Sequence, residues 1–492
     1  MSTRTTSLYG TLTFACAALA LTGCDWGRFD TLEDNAPVRV IEKPDDYESG
    51  HFGDVMTTYA RTVGGKLITR LAVSAGTGTP TNVYPIFNGD VVATDPLFDA
   101  CKTGSPCGNS SGSGLAGAPS IGEGQSCVVM GAREQNQVVY RCESGGAMGM
   151  SDGVRISGPV MDQRFGAALA PVPFGTSIMM GSVAVRAFVG APGALEPRPV
   201  SEEMNGALYT IRDNGSAGAQ APLFGDPITD PSTGETLMAL GGNLATARYD
   251  STHTLLLATA NSRNSAKPKR VVVFLVDNAT ASIEVRACLA RTEAPITALT
   301  AGDFNGDGIG DIAISDDQGS PLRTPTVDIY DGRGLPDSST GNCQEWGSAA
   351  GHGEPTTLSC DSSADVSCDG SGFGAALAAG DLNADGSDEL IVSAPFAVAK
   401  GITGAGVAYV YQGGASGIGV IAPITIQNSD PNANGNFGRN LITFPVSATR
   451  QELVVAEGGG NAPALYVFLC SGVVGDTATP MSPQCQMTPV TP

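Results

Sequence analysis

Histidine and tryptophan are almost missing from this chain, whose 492 residues hold three of the first and two of the second. His51, His253 and His352 lie far apart in the sequence, so a catalytic or metal-binding group built on several imidazoles has little to draw on. No His-Glu-x-x-His segment occurs, which removes the common zinc-protease signature. Cys-x-x-Cys is absent too, and with it the usual thiolate zinc site. Charged residues are only 15% of the chain, too few for many long exposed helices. Basic residues are the scarcer sign: 27 Lys and Arg against 49 Asp and Glu leave a net charge of −22. Such a balance argues against nucleic acid and against direct contact with anionic lipid.

Long apolar runs are also lacking. The longest near the N-terminus, Leu12 to Leu21, follows the basic Arg4 and falls short of the ~20 residues a spanning helix needs. It ends in Leu21-Thr-Gly-Cys24, which resembles the lipobox of bacterial lipoproteins. The expectation is a signal peptide over 1–23 and a lipidated Cys24. An anchor and linker then follow over 24–45, the folded part over 46–475 and a tail over 476–492. The protein is expected at the cell envelope, tied to a membrane by lipid alone. The outer membrane or cell surface is favoured over the periplasmic face.

Glycine, by contrast, is abundant at 65 residues, and with many Ala, Val and Thr it suits short strands joined by turns. Twelve cysteines occur. Setting aside Cys16 in the signal and Cys24 as anchor leaves ten, an even number fitting disulfides in an oxidising compartment. Near neighbours are Cys101 with Cys107, Cys127 with Cys142, Cys360 with Cys368, and Cys470 with Cys485; Cys288 and Cys343 would close a longer loop. The spacing does not fix these pairings.

Two stretches share one layout: Asp303-Phe-Asn-Gly-Asp-Gly-Ile-Gly-Asp311 and Asp381-Leu-Asn-Ala-Asp-Gly-Ser-Asp-Glu389. Side-chain oxygens fall at the first, third, fifth and ninth positions and a glycine at the sixth. Each stretch runs into an apolar strand. That density of negative charge suits a hard divalent cation, which takes roughly 6–8 oxygens, and the glycine allows the turn that folds them inward. An EF-hand is excluded, because its twelfth-position Glu would fall on Ile314 or Val392.

A repeating unit surrounds these loops. Phe165-Gly166 leads to Phe188-Val-Gly-Ala-Pro192 and Gly206-Ala-Leu-Tyr-Thr-Ile211. Phe373-Gly374 leads through the second acidic loop to Ile391-Val-Ser-Ala-Pro395 and Gly406-Val-Ala-Tyr-Val-Tyr411. Phe437-Gly438 leads to Leu453-Val-Val-Ala456 and Leu465-Tyr-Val-Phe-Leu469. Weaker copies begin at Phe52-Gly53, at Gly114-Leu-Ala-Gly-Ala-Pro119, before Leu255-Leu-Leu-Ala258 and near Ile296. About seven units, spaced by roughly 55–75 residues, fit four-stranded sheets packed radially. The expected fold is all-β, a seven-bladed β-propeller, with six or eight blades left open. Residues 92–125 and 333–371, the second holding Trp346, read as long insertions, and any partner-binding surface is expected on them.

Phe-Gly, Gly-Ala-Pro and the acidic loop between them resemble the FG-GAP repeat of integrin α-subunit propellers and of many bacterial surface proteins. The resemblance implies a calcium ion in each loop. Asp303, Asn305, Asp307 and Asp311 would supply side-chain oxygens to the first, with the Ile309 carbonyl. Asp381, Asn383, Asp385 and Glu389 would serve the second, with the Ser387 carbonyl; Glu389 stands where the family has aspartate. The implied role is a binding or adhesion scaffold for protein or glycan. The alternatives are an envelope hydrolase or lyase using the propeller channel, and a purely structural envelope protein.

Overall fold

The computed structural model describes residues 39–42 and, with breaks, 52–471. The signal segment, Cys24, Cys101, Cys107, Cys485 and the tail lie outside the described residues. Within them the chain is all-β, with only two short 3-10 turns and no α-helix. Seven antiparallel sheets of four or five strands follow one another along the chain, with a small two-stranded sheet, Val366–Ser367 with Val398–Ala399, beside the sixth.

The sheets are numbered in chain order. The first holds Met56–Val63, Lys66–Ala75 and Asn82–Phe87, with two short edge strands. The second holds Ser111–Ala118, Cys127–Ala132, Gln137–Cys142 and Val154–Ser157, and the third Ala168–Pro171, Ile178–Met180, Val183–Ala191 and Ala207–Arg212. The fourth is Leu244–Arg248, His253–Ala260, Arg270–Asp277 and Ile283–Ala290; the fifth is Ile296–Gly302, Asp311–Asp316, Thr326–Tyr330 and Thr356–Ser359. The sixth is Leu377–Gly380, Glu389–Ala394, Val407–Tyr411 and Ile424–Gln427. The seventh, Phe437–Ser447, Arg450–Glu457 and Ala464–Ser471, takes its fourth strand from the other end of the chain: Arg39–Glu42 pairs with Ala464–Ser471, Ile41 opposite Leu465.

The central strands are apolar almost throughout because both of their faces are covered. Side chains alternate across a strand, and each face joins a different core. In the fourth sheet Leu256 and Ala258 pack with Phe188 and Leu208 of the third, while Leu255 and Leu257 pack with Ile312 and Ile314 of the fifth. In the sixth, Leu390 and Val392 face Val327 of the fifth, and Ile391 faces Leu453 and Val455 of the seventh. Val454 and Ala456 of the seventh then meet Phe52, Leu71 and Val73 of the first. The first strands of successive sheets pack side by side, from Met56–Val63 on Ser111–Ala118 through to Leu377–Gly380 on Phe437–Ser447, and the last also touches Met56–Val63.

The Phe-Gly pairs set the distance between sheets. Phe52, Phe165, Phe373 and Phe437 are fully buried. The glycine after each has φ between +83° and +89°, a conformation that disfavours a side chain. Each glycine lies on a small residue in the second strand of the preceding sheet: a Cβ on Gly166 would stand 3.2 Å from the Gly131 Cα, on Gly374 2.6 Å from the Ser315 Cβ, and on Gly438 3.2 Å from the Ser393 Cβ. The fourth sheet makes a similar contact with Leu240-Gly241, where φ is +95° and a Cβ would meet the Cα of Gly190, in the central strand Val183–Ala191 of the third sheet, at 2.9 Å. Leucine replaces phenylalanine there, so the sequence pattern passed over it. A hydroxyl recurs on the second strands as well. The side-chain oxygens of Ser74, Thr259, Ser315 and Ser393 accept the backbone N–H of Val55, Asn243, Ala298 and Ala376 at 2.8–3.0 Å.

Three expectations change. Arg39–Glu42, assigned to the linker, is a strand of the seventh sheet. Ser111–Ala118, assigned to an insertion, is the first strand of the second sheet, and Thr356–Ser359 is likewise a strand inside the other expected insertion. Trp346 is half-buried rather than displayed, its ring set edge-on to Tyr330 with centroids 5.7 Å apart. Cys288–Cys343 and Cys360–Cys368 are disulfides. Cys127 is disulfide-bonded and stands opposite Cys142 in the strand register, and Cys470 lies in the strand Ala464–Ser471.

Ile41 is 4% exposed and sits in the core shared by the seventh and first sheets. Ile41→Ala should therefore cost about 2–5 kcal/mol in urea denaturation. A loss near zero would mean that the N-terminal strand contributes nothing to the fold.

Candidate functional site

The two acidic loops occupy equivalent places. The first joins Ile296–Gly302 to Asp311–Asp316 and the second joins Leu377–Gly380 to Glu389–Ala394, so each links the first two strands of its sheet. An apolar second residue anchors each: Phe304 and Leu382 are both 1% exposed. Gly308 and Gly386, at the sixth position, have φ of +83° and +92°, as the inward turn requires.

Positions one, three and five converge on their own backbone. In the first loop Asp303 Oδ1 and Asn305 Oδ1 both accept the Asp307 N–H at 3.0 Å. Asp303 Oδ2 accepts from Gly308 at 2.8 Å, and Asp307 Oδ1 accepts the Ile309 N–H at 2.8 Å. The second loop repeats this: Asp381 Oδ1 and Asn383 Oδ1 accept the Asp385 N–H at 3.1 and 2.9 Å, Asp381 Oδ2 accepts from Gly386 at 3.1 Å, and Asp385 Oδ1 accepts the Ser387 N–H at 2.9 Å.

The ninth position differs. Asp311 is buried and turns both oxygens to backbone donors, Phe304 N at 3.0 Å and Gly332 N at 2.7 Å. Glu389, longer by a methylene, accepts the Leu382 N–H at 2.7 Å with one oxygen and reaches the Asn383 amide at 3.1 Å with the other. Burial pushes the Asp311 carboxyl up to about 7, with the charges of Asp331 and Asp307 adding to it, against the Gly332 and Phe304 N–H groups. Burial likewise lifts Glu389 to about 8, opposed by the Leu382 N–H and reinforced by Asp385 and Asp381. Asp381 is raised for the same reason.

Among the described residues no group of three or more His, Cys, Asp or Glu side chains stands gathered as a ready metal cage. The carboxylates instead hold N–H groups, and one side-chain N–H group at each loop bridges two carboxylates. Arg333 Nε lies 2.9 Å from Asp307 Oδ2 and 3.2 Å from Asp331 Oδ1. Asn383 Nδ2 lies 2.9 Å from Asp385 Oδ2 and 3.1 Å from Glu389 Oε1. Both stand where positive charge is wanted. The donor set fits a hard cation, since every side-chain donor is an oxygen and no thiolate or imidazole takes part. Arg333 carries no signal in the sequence. It is a lone basic residue in a glycine turn, Gly332–Gly334, brought to the loop by the end of the third strand.

The corresponding turn of the fourth sheet, between Leu244–Arg248 and His253–Ala260, is short. Asp250 caps it, accepting the N–H groups of Thr252 and His253 at 2.6 and 2.7 Å and meeting His253 Nδ1 at 2.9 Å. His253 begins a strand, as its sequence setting suggests.

Residues 373–411 match the FG-GAP repeat. The match spans the second acidic loop and three strands of the sixth sheet. No curated protein matches the chain. Among solved structures, a protein of unknown function from Dyadobacter fermentans is similar over 88% of this chain and 98% of its own, at 12% identity and a TM-score of 0.42. The Aleuria aurantia lectin, solved as a mutant in complex with α-methyl-L-fucoside, is similar over 76% of this chain and 96% of its own, at 12% identity and a TM-score of 0.37. Saccharomyces cerevisiae Sqt1 is similar over 90% and 93%, at 8% identity and a TM-score of 0.40. Likenesses this loose carry no argument about ligand or activity.

Asp311→Ala would orphan two backbone donors, at about 1–3 kcal/mol each. It should destabilise the protein by about 2–6 kcal/mol in urea denaturation, with or without divalent cations. A loss below about 0.5 kcal/mol would show that the Asp311 carboxylate does not hold the loop.

Proposed function

We propose that the chain is a seven-bladed β-propeller of FG-GAP repeats that binds two calcium ions and acts as a binding scaffold for protein or glycan at a bacterial envelope. The reading rests above all on one observation: two loops of the same oxygen spacing link the first and second strands of neighbouring sheets, and one of them falls within the FG-GAP match. Seven cores shared between successive sheets, and an N-terminal strand in the last sheet, support closure into a ring. The lipobox-like Leu21-Thr-Gly-Cys24 supports lipid attachment at Cys24.

Calcium would supply charge neutralisation that Arg333 now provides in part at the first loop; at the second, among the described residues, the neutral Asn383 amide gives hydrogen bonds only. Asp303, Asn305, Asp307 and Asp311, with the Ile309 carbonyl, would hold the first ion; Asp381, Asn383, Asp385 and Glu389, with the Ser387 carbonyl, would hold the second. The chain's own part is to fix the turn between two buried strands. A pinned turn braces the sheet, so the ion serves the scaffold. Partner contact falls to loops of defined shape, and the loop tied down at Cys343 and the one closed by Cys360–Cys368 are the best held of these.

Millimolar calcium should raise the melting temperature of chelator-treated protein by at least about 3 °C. Asp307→Ala with Asp385→Ala should abolish that gain, and immobilised wild-type protein should retain an envelope protein or glycan from extracts. An unchanged melting temperature would remove the calcium reading, and an empty capture with folded protein would remove the scaffold reading.

A further inference from the structure

The two acidic loops lie 78 residues apart in sequence (381 − 303), yet they touch. Asp388 sits at the eighth position of the second loop, between the two proposed ligands Ser387 and Glu389, and is not itself assigned to the ion. Its Oδ2 accepts the Asp303 N–H at 2.8 Å, and its own N–H donates to the Asp303 carbonyl at 2.7 Å. One residue of the second loop thus clasps the first proposed ligand of the first loop through both its N–H and its carbonyl.

The fit around this clasp is close. A Cβ on Gly302 would stand 2.7 Å from Asp388 Oδ2, and one on Gly306 would stand 2.5 Å from Ser387 Oγ. The Phe304 carbonyl of the first loop also accepts the Gly414 N–H, at the end of the sixth sheet's third strand, at 3.0 Å. The two loops are thus joined by hydrogen bonds and close packing.

We infer that the two cation sites are energetically coupled, with Asp388 as the positioning residue between them. The inference rests on the calcium reading given above. An ion that fixes Ser387 and Glu389 also fixes Asp388, which lies between them. Asp388 then holds Asp303 in place before the first loop is filled, so part of the ordering needed by the first site is already met. Linkage makes the effect reciprocal.

Calcium titration calorimetry on the full folded chain tests this. The wild-type protein gives two association constants, Asp385→Ala gives that of the first loop alone, and Asp307→Ala gives that of the second. The product of the wild-type constants should exceed the product of the two single-site constants by about five-fold or more. Repeated with Asp388→Ala, the two products should agree within about two-fold. Asp388→Asn keeps an oxygen acceptor for the Asp303 N–H, so it should retain the coupling and controls for loss of folding. Two calcium ions bound with equal products in the wild-type chain would overturn the coupling and leave the calcium reading standing. No calcium bound in the wild-type chain would overturn both.

Discussion

Five of the seven described sheets meet the one before them where a glycine of positive φ lies on a small residue of a central strand: Gly166 on Gly131, Gly241 on Gly190, Gly374 on Ser315, Gly438 on Ser393 and Gly53 on Ala456. This approach fixes how closely two sheets can pack, and the rest follows from it. A buried aromatic or leucine just before the glycine fills the core at that point, and the middle of the second strand, covered on both sides, is mostly apolar. A repeated exception is a serine or threonine whose hydroxyl takes up a backbone N–H in or just before the first strand. A buried N–H left unmet costs about 1–3 kcal/mol, so the hydroxyl is part of the packing solution.

The acidic loops inherit their place from that frame. They leave the first strand and enter the second, and their last carboxylates, Asp311 and Glu389, are already strand residues with little exposure. Burying those groups raises their affinity for protons, to about 7 and about 8, because a buried negative charge is disfavoured without a partner. Nearby N–H groups, the Arg333 guanidinium and the Asn383 amide offset part of this. A divalent cation would offset more, and the oxygen-only donor set suits one. The same geometry ties the loops together, since the sheets are close enough for Asp388 to bond Asp303 across the boundary.

Much of this was legible in the sequence. Phe165-Gly166, Phe373-Gly374 and Phe437-Gly438 marked real sheet boundaries, and the acidic loops fell between first and second strands as their resemblance implied. What escaped has physical reasons. Leu240-Gly241 does the work of Phe-Gly with a different apolar residue, since the pocket asks for volume and the glycine for space. Arg39–Glu42 looked like linker because four residues carry no periodicity; its partner, Ala464–Ser471, lies at the far end of the chain. Ser111–Ala118 is rich in Gly and Ser and reads as a loop, yet its backbone pairs with Cys127–Ala132. Asp388 and Arg333 act on groups supplied by other segments, so no local spacing could point to them.

The central proposal is that both acidic loops, one of them inside the FG-GAP match, are cation sites built into neighbouring sheets. A crystal structure of protein grown in calcium, with anomalous scattering recorded at long wavelength, tests it most directly. The account predicts one anomalous peak within residues 303–311 and one within 381–389, with the Asp388 to Asp303 hydrogen bonds kept between them. Loops folded as described but free of any anomalous peak, in crystals soaked at saturating calcium, would contradict it.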